Sequence, residues 1–149
     1  MKALVALGVM FASFGAQALN SGPVLDGHYS MKLKIGEMIF DDELDLKGSQ
    51  APIRLQGYED AIQGLIKVPG IFESPLEGTA HCSSVSSECA LDFTIIATEN
   101  GGSYKVRYKA HLDSESYLKV VQENKPPVLN GAAYYEDGKL LGTFEATRN

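Results

Sequence analysis

Residues 89–112 read CALDFTIIATENGGSYKVRYKAHL, and this stretch decides the fold class. Asn100-Gly101 separates two runs in which apolar and polar residues alternate. Asn and Gly best tolerate the positive φ angles that both central residues of a type I′ turn require. Along 104–112, Tyr, Val, Tyr, Ala and Leu share one face, while three basic residues and a histidine share the other. The stretch therefore predicts a long β-hairpin whose apolar face needs more sheet to cover it.

The same two-residue alternation recurs along much of the chain. It runs through residues 28–35 and 38–47 on either side of a Gly-Glu turn, and through 131–147 around Asp137-Gly138. We interpret residues 116–122 as a further strand. No segment has the hydrophobic period of an amphipathic helix longer than two turns.

About eight to ten short strands with hairpin-length connections indicate an all-β protein. An antiparallel meander of this kind removes its edges by closing into an up-and-down, lipocalin-like β-barrel, and a two-sheet sandwich is the alternative. The likeness to lipocalins is limited to strand arrangement. The chain contains no Trp and so lacks the lipocalin Gly-x-Trp pattern, and a fold analogy alone carries no function.

The first 18 residues, MKALVALGVMFASFGAQA, have the pattern of a secretory signal peptide. One Lys precedes an apolar run that is too short to span a membrane, and Ala16-Gln17-Ala18 forms a small-x-small cleavage site. We therefore expect residues 1–18 to be a signal peptide and residues 19–149 to form one β-barrel domain. The expected location is the periplasm or the outside of the cell.

Cys82 and Cys89 are the two cysteines, and the Ser-rich spacer SSVSSE separates them. In an exported protein, a pair this close predicts a disulfide bond that staples a hairpin. A redox-active pair is the alternative. Against it, the spacing is not Cys-x-x-Cys, and no Lys or Arg lies near in sequence to lower a thiol pKa.

Composition and motifs argue against several classes of function. With 13 Lys and Arg against 19 Asp and Glu, the net charge of −6 is unfavourable for nucleic acid and for anionic membrane surfaces. The three histidines have no metal-ligand spacing, and the acidic clusters lack the EF-hand pattern. There is no Gly-x-Ser-x-Gly elbow. We expect no metal, cofactor or catalytic residue, although triads are recognised in space and an enzyme is not excluded.

An outer-membrane barrel also has amphipathic strands, but its apolar face looks outward to lipid. Several strands of this chain look too short to cross a bilayer, and the aromatic residues form no girdles at strand ends. Membrane insertion is therefore not the expectation.

Aromatic side chains concentrate on the apolar faces of the expected strands. The interior of a barrel of this size can hold a small ligand between apolar walls with a few polar tips. We therefore expect a small, largely apolar ligand in the interior, with residues 69–75 as a loop at the mouth. The expected lining residues are Tyr29, Asp42, Tyr104, Tyr108 and Tyr134.

Alternation places Asp42, unlike the neighbouring acidic residues, on the apolar face of its strand. Its neighbours Asp41 and Glu43 fall on the polar side of the strand, whereas Asp42 falls among apolar residues. An inward Asp42 would have a raised pKa unless a donor paired with it. A β-bulge that returns Asp42 to solvent is the simpler explanation from sequence.

The competing hypothesis is a protein-interaction module of the cell envelope, such as an inhibitor or assembly factor. Its interior would be solid, and it would bind a partner through a loop or an edge strand. Ile71 and Phe72 support this hypothesis because a loop bounded by Pro and Gly displays them. An interior cavity below about 100 Å³ would favour it over a ligand pocket.

Overall fold

The computed structural model describes residues 25–48, 58–83 and 86–149, so the expected signal peptide lies outside the described residues. These residues form eight β-strands and one helix. The strands are β1 (Gly27–Ile35), β2 (Met38–Lys47), β3 (Tyr58–Val68), β4 (Phe72–Ser83), β5 (Glu88–Glu99), β6 (Gly102–Leu112), β7 (Val128–Tyr135) and β8 (Leu140–Arg148). The helix α1 (Ser114–Glu123) connects β6 to β7.

The eight strands follow sequence order around a closed antiparallel barrel. β8 pairs back to β1, from Tyr29 opposite Arg148 to Lys34 opposite Thr143. Closure leaves no strand of the barrel with a free edge, which is how up-and-down barrels avoid edge-to-edge pairing. The prediction of an all-β, up-and-down barrel is confirmed, and the two-sheet sandwich is wrong.

The hairpin of β5 and β6 turns at Asn100-Gly101, as the sequence predicts. Glu99 pairs with Gly102, and φ is 52° at Asn100 and 78° at Gly101. Both central residues thus have the positive φ of a type I′ turn. Alternate residues of β6 from Val106 onward are buried, and the basic residues between them are exposed. The apolar face of this hairpin therefore looks into the barrel.

Side chains fill most of the barrel interior. The ring of Tyr108 stacks on Phe93 with centroids 5.1 Å apart, and it meets Phe144 edge-on at 5.5 Å. Tyr29 is fully buried, and its hydroxyl donates a hydrogen bond of 2.8 Å to the carbonyl oxygen of Leu25. Burial stabilises the fold by about 1.5–3 kcal/mol for each large apolar side chain.

The two ends of the barrel differ. One end, the closed end, carries α1 with its buried Tyr117 and the disulfide between Cys82 and Cys89. The two cysteines face each other across β4 and β5 with Cα atoms 4.1 Å apart, so the predicted staple is confirmed. The other end, the turn end, is formed by the four hairpin turns at residues 36–37, 69–71, 100–101 and 136–139.

The prediction of a strand at residues 116–122 is wrong, because this segment lies in α1. Asp113 is the N-cap residue, and its carboxylate accepts a hydrogen bond of 2.8 Å from the backbone N–H of Ser116. Asn124 ends the helix in the left-handed conformation with φ 53°, and two prolines follow shortly after. These start and stop signals are local, and they outweigh a short apparent alternation.

Asp113→Ala tests the cap. We expect the free energy of unfolding to fall by about 1 kcal/mol, because the N–H of Ser116 loses its side-chain acceptor. Chemical denaturation measures the change. Ser114→Ala is the matched control, since it alters the next exposed residue and leaves the cap intact. Equal losses in the two variants would contradict the assigned role of Asp113.

Candidate functional site

The interior is not filled at the turn end, where a cavity of about 170 Å³ lies. Its walls come from β1, β2, β5, β6 and β8, and from the ends of β3 and β4 with the turn between them, and they are mostly apolar. A dry apolar cavity of about 150 Å³ can hold benzene, whereas pockets for drug-sized ligands span about 300–1,000 Å³. This cavity therefore fits one ring or a short chain.

A larger depression of about 850 Å³ lies on the outer wall, along β1 to β4. Exposed polar residues such as His28 and Gln63 form part of its lining, and Gly64 leaves backbone uncovered beside it. This depression has a larger volume than the interior cavity. We regard the interior cavity as the site because its aromatic lining and its buried acid give it a chemical character that the outer depression lacks.

Asp42 lies on the inner face of β2 and lines the cavity. β1 and β2 pair without interruption over nine residue pairs, with Met31 opposite Asp42. There is no bulge, so the simpler explanation from sequence is wrong and the two-residue alternation holds. Asp42 is only 3% exposed. Its position in the ladder therefore forces a carboxyl group into the apolar interior.

Neither carboxyl oxygen of Asp42 accepts a hydrogen bond from any residue that the structure describes. Burial raises the pKa of Asp42 to about 6, and the negative charge of Asp41 adds to the effect. A buried ionised group without a donor is costly. Residues in a cleft with a pKa strongly perturbed by desolvation are candidates for a functional site. Asp42 fits that description.

Tyr108 contributes the floor of the cavity, and its ring is anchored on Phe93 below. Burial raises the pKa of the Tyr108 phenol, and the charge of Asp42 raises it further. Tyr108 is therefore neutral at physiological pH. It offers the cavity a wide apolar ring with one polar tip near the acid.

Tyr104 and Glu99 form part of the rim. The hydroxyl of Tyr104 donates a long hydrogen bond of 3.4 Å to Glu99, and its ring lies tilted against Tyr135 at 6.0 Å. Burial and then the neighbouring Glu99 raise the pKa of Tyr104. Among the described residues that line the cavity, the charged ones are Asp42 and Glu99, and none is basic.

The pairing between β4 and β5 is incomplete beside the cavity. The ladder between β4 and β5 stops at Leu76 opposite Ile95. The next position would bring Pro75 opposite Ile96, and Pro75 has no N–H to give to the ladder. Instead, the buried hydroxyl of Ser74 accepts the Ile96 N–H at 2.9 Å. Beyond this point β4 and β5 form no further residue pairs.

Three of the predicted pocket residues, Asp42, Tyr104 and Tyr108, line the cavity together. A role for them in ligand binding stays a prediction. Tyr29 lies at the closed end, where its hydroxyl is bonded within the core and it does not reach the cavity. Its expected place in the pocket lining is wrong because inward alternation fixes the face of a residue but not its depth along the barrel axis.

The inward placement predicted for Tyr134 is also wrong. Tyr134 pairs with the exposed Arg107, so it lies on the outer face of β7. Ala133 is the buried residue, and a register shift between Ala133 and Tyr134 follows in the pairing with β8. Its neighbour Tyr135 instead reaches the rim beside Tyr104. Two adjacent tyrosines give the same alternation in either register, so sequence alone does not choose between them.

The two residues of the predicted interaction loop, Ile71 and Phe72, differ in their exposure to solvent. Ile71 is 60% exposed at the tip of the turn, whereas Phe72 is half-buried and packs against the core. Both border the cavity. The turn covers only residues 69–71, because the Ile71 N–H donates to the Val68 carbonyl at 3.0 Å, and residues 72–75 belong to β4. The expected loop over 69–75 is therefore too long.

Sequence reasoning missed Glu99 and Phe40 as lining residues. Phe40 lies two residues before Asp42 on the same face of β2, and Glu99 directly precedes the Asn100-Gly101 turn. The signal for both was their distance from a turn, since residues next to the four turns gather at one end of a meander. Counting residues along each strand from its hairpin turn identifies both as residues of the turn end.

Within the described ranges, no group of three His, Cys, Asp or Glu side chains is placed to hold a metal ion. No helix among the described residues is long and apolar enough to span a membrane. Comparison with protein-family models, with curated proteins and with solved structures finds no match for this chain. The functional proposals therefore depend on the geometry and charge of the cavity.

Asp42 should make the stability of the protein depend on pH. Its pKa in the folded protein is about 6, against an ordinary value of 3.8. Between these values the folded protein binds a proton that the unfolded chain has lost. The free energy of unfolding should therefore fall as pH rises from about 4 to above 6, by about 3 kcal/mol from this group alone.

Asp42→Asn removes this titration. Denaturant unfolding between pH 4 and 7.5 should show that the variant gains stability relative to the wild type as pH rises. Glu43→Gln is the matched control, because it removes an exposed carboxylate from the next position of the same strand. A constant difference between Asp42→Asn and the wild type over this range would refute the assignment.

Proposed function

We propose that the protein binds a small, largely apolar molecule in the turn-end cavity. The observation that carries this proposal is an apolar cavity of about 170 Å³ around one buried polar side chain, Asp42. Side chains fill the rest of the interior. Pockets with apolar and aromatic walls and a few placed polar groups are typical of ligand sites. The volume also exceeds the roughly 100 Å³ below which a solid core is favoured.

The proposed ligand reaches the cavity from the turn end. α1 and the disulfide lie at the opposite end, and the cavity is lined by residues in and next to the hairpin turns. A short chain or a ring is enclosed, and a longer chain extends outward between the turns. We place this activity in the periplasm or outside the cell, which the disulfide between Cys82 and Cys89 supports.

Ala97→Phe tests the site by filling it. Ala97 is buried and lines the cavity, so a phenyl ring there occupies the space that a ligand needs. In the wild type, titration with 1-hexanol should shift the backbone amide NMR signals of residues near the cavity, such as Ile95 and Val106. In the variant, these shifts should be at least about tenfold weaker at the same concentration, because steric overlap removes the site.

Ile96→Phe is the matched control, since Ile96 is the next residue of β5 and its side chain is exposed on the outer wall. It should bind 1-hexanol as the wild type does. Shifts spread over the whole surface, or shifts that persist unchanged in Ala97→Phe, would contradict binding in the interior.

The exposed apolar residues at the turn end favour a second function, the envelope protein-interaction module. Four of them are about 60% exposed: Met38, Ile39, Ile71 and Leu140. All four lie in or next to hairpin turns at one end of the barrel. Large apolar residues gathered on one surface mark interaction sites.

The double variant Met38→Ser/Leu140→Ser separates this function from ligand binding, because both residues are exposed at the turn end and neither lines the cavity. An interaction module predicts that a protein captured from an envelope extract by the tagged wild type is lost with the double variant, because its apolar contact surface is gone. Binding of 1-hexanol should be retained. Ile96→Ser is the control, because it removes an exposed apolar residue from the side wall. Equal capture by the double variant and the control would exclude the turn end as the interface.

A further inference from the structure

The charges around the cavity indicate the chemical class of its ligand. We propose that the ligand is a small organic cation whose primary ammonium group binds Asp42 and whose apolar body fills the cavity. This inference rests on the proposed function and makes it more specific. It is carried by the position and surroundings of Asp42.

The first argument is the unmet hydrogen-bonding capacity of Asp42. Both of its carboxyl oxygens are buried, and neither accepts a hydrogen bond from any described residue. An ammonium group supplies both a positive charge and N–H donors. Hydrogen bonds between two charged groups are roughly twice as strong as neutral ones, and more so in a site away from water. A primary ammonium satisfies both oxygens better than a quaternary one, which has no N–H.

The second argument is the charge of the lining. Going round the cavity, β1, β8 and the turn region between β3 and β4 contribute apolar side chains, and β5 contributes two apolar residues and Thr98 together with Glu99 at the rim. β6 contributes Tyr104 and Tyr108, which stay neutral. Asp41 adds negative charge beside Asp42. The described lining thus holds two acids and no base, which repels an anionic ligand and attracts a cation.

The third argument is the aromatic content of the walls. Phe40, Phe72, Tyr104 and Tyr108 all line this small space. The face of an aromatic ring attracts a cation within about 6 Å of its centre, and the attraction strengthens when the site excludes water. A cavity with one buried carboxylate and several aromatic side chains therefore stabilises an ammonium group in two ways, whereas an alcohol gains a hydrogen bond but no attraction between opposite charges or between a cation and a ring.

The experiment compares three probes of the same chain length, hexylamine, 1-hexanol and hexanoate, by NMR titration of the wild type at pH 8. At this pH the amine is protonated and hexanoate is ionised. We expect hexylamine to bind about 10- to 100-fold more tightly than 1-hexanol, the difference that hydrogen bonds to a charged group produce. Hexanoate should not bind in the cavity.

Asp42→Asn should remove this preference, so that hexylamine binds no better than 1-hexanol. Glu43→Gln, the control on the outer face, should keep the wild-type preference. A pH titration of the wild type gives a second readout that needs no variant. Between pH 8 and pH 5 the affinity for hexylamine should fall about tenfold, because a proton on Asp42 competes with the ligand, and the affinity for the uncharged 1-hexanol should change less than this.

The outcomes distinguish the two proposals. If 1-hexanol and hexylamine bind equally, or if the affinity for hexylamine is the same at pH 5 and pH 8, the proposal of a cationic ligand is wrong. The proposal of ligand binding in the interior then still stands. If none of the three probes binds in the cavity, the proposed function itself fails. If Asp42→Asn does not fold, the wild-type pH titration decides the question.

Discussion

The pairing of β8 with β1 is the contact on which the rest of the structure depends. Once the barrel closes, every strand has one face in the interior and one in solvent, and a residue cannot change face without a shift in register. The uninterrupted ladder between β1 and β2 therefore fixes the direction of Asp42. A single polar residue at an inward position becomes a buried acid, whatever its own solvation would favour.

The cavity exists because side chains fill the barrel interior at one end and leave space at the other. At the closed end, Tyr29, Tyr117 and the disulfide complete the core. At the turn end, Pro75 ends the ladder between β4 and β5 early, and Ser74 replaces the missing backbone partner. Asp42 lies at this weaker end, and its burial lowers stability at neutral pH, as is common where a structure departs from the rules of stability at a functional site.

Local signals made much of the fold predictable. Asn100-Gly101 fixed one hairpin, alternation fixed the faces of β1, β2 and β6, and the spacing of the two cysteines gave the disulfide. Alternation does not identify helix α1, because apolar residues at 117, 118, 120 and 121 fit either a short strand or a helix, and the signal that favours the helix is its N-cap residue, Asp113. The site was harder to predict. Tyr29 and Tyr108 follow the same inward rule, but only depth along the barrel separates a core residue from a lining residue.

The same geometry connects the two proposals for the turn end. In the proposed binding function, the exposed apolar residues Ile71 and Leu140 would contact an apolar molecule as it leaves water, and Asp42 and Glu99 would select among such molecules by charge. The two proposals thus assign different steps to the rim and to the acid, entry to the first and retention to the second. Neither proposed step requires the core to move, because the strands that carry Asp42 and Tyr108 are paired along almost their whole length with β1 and β5, respectively.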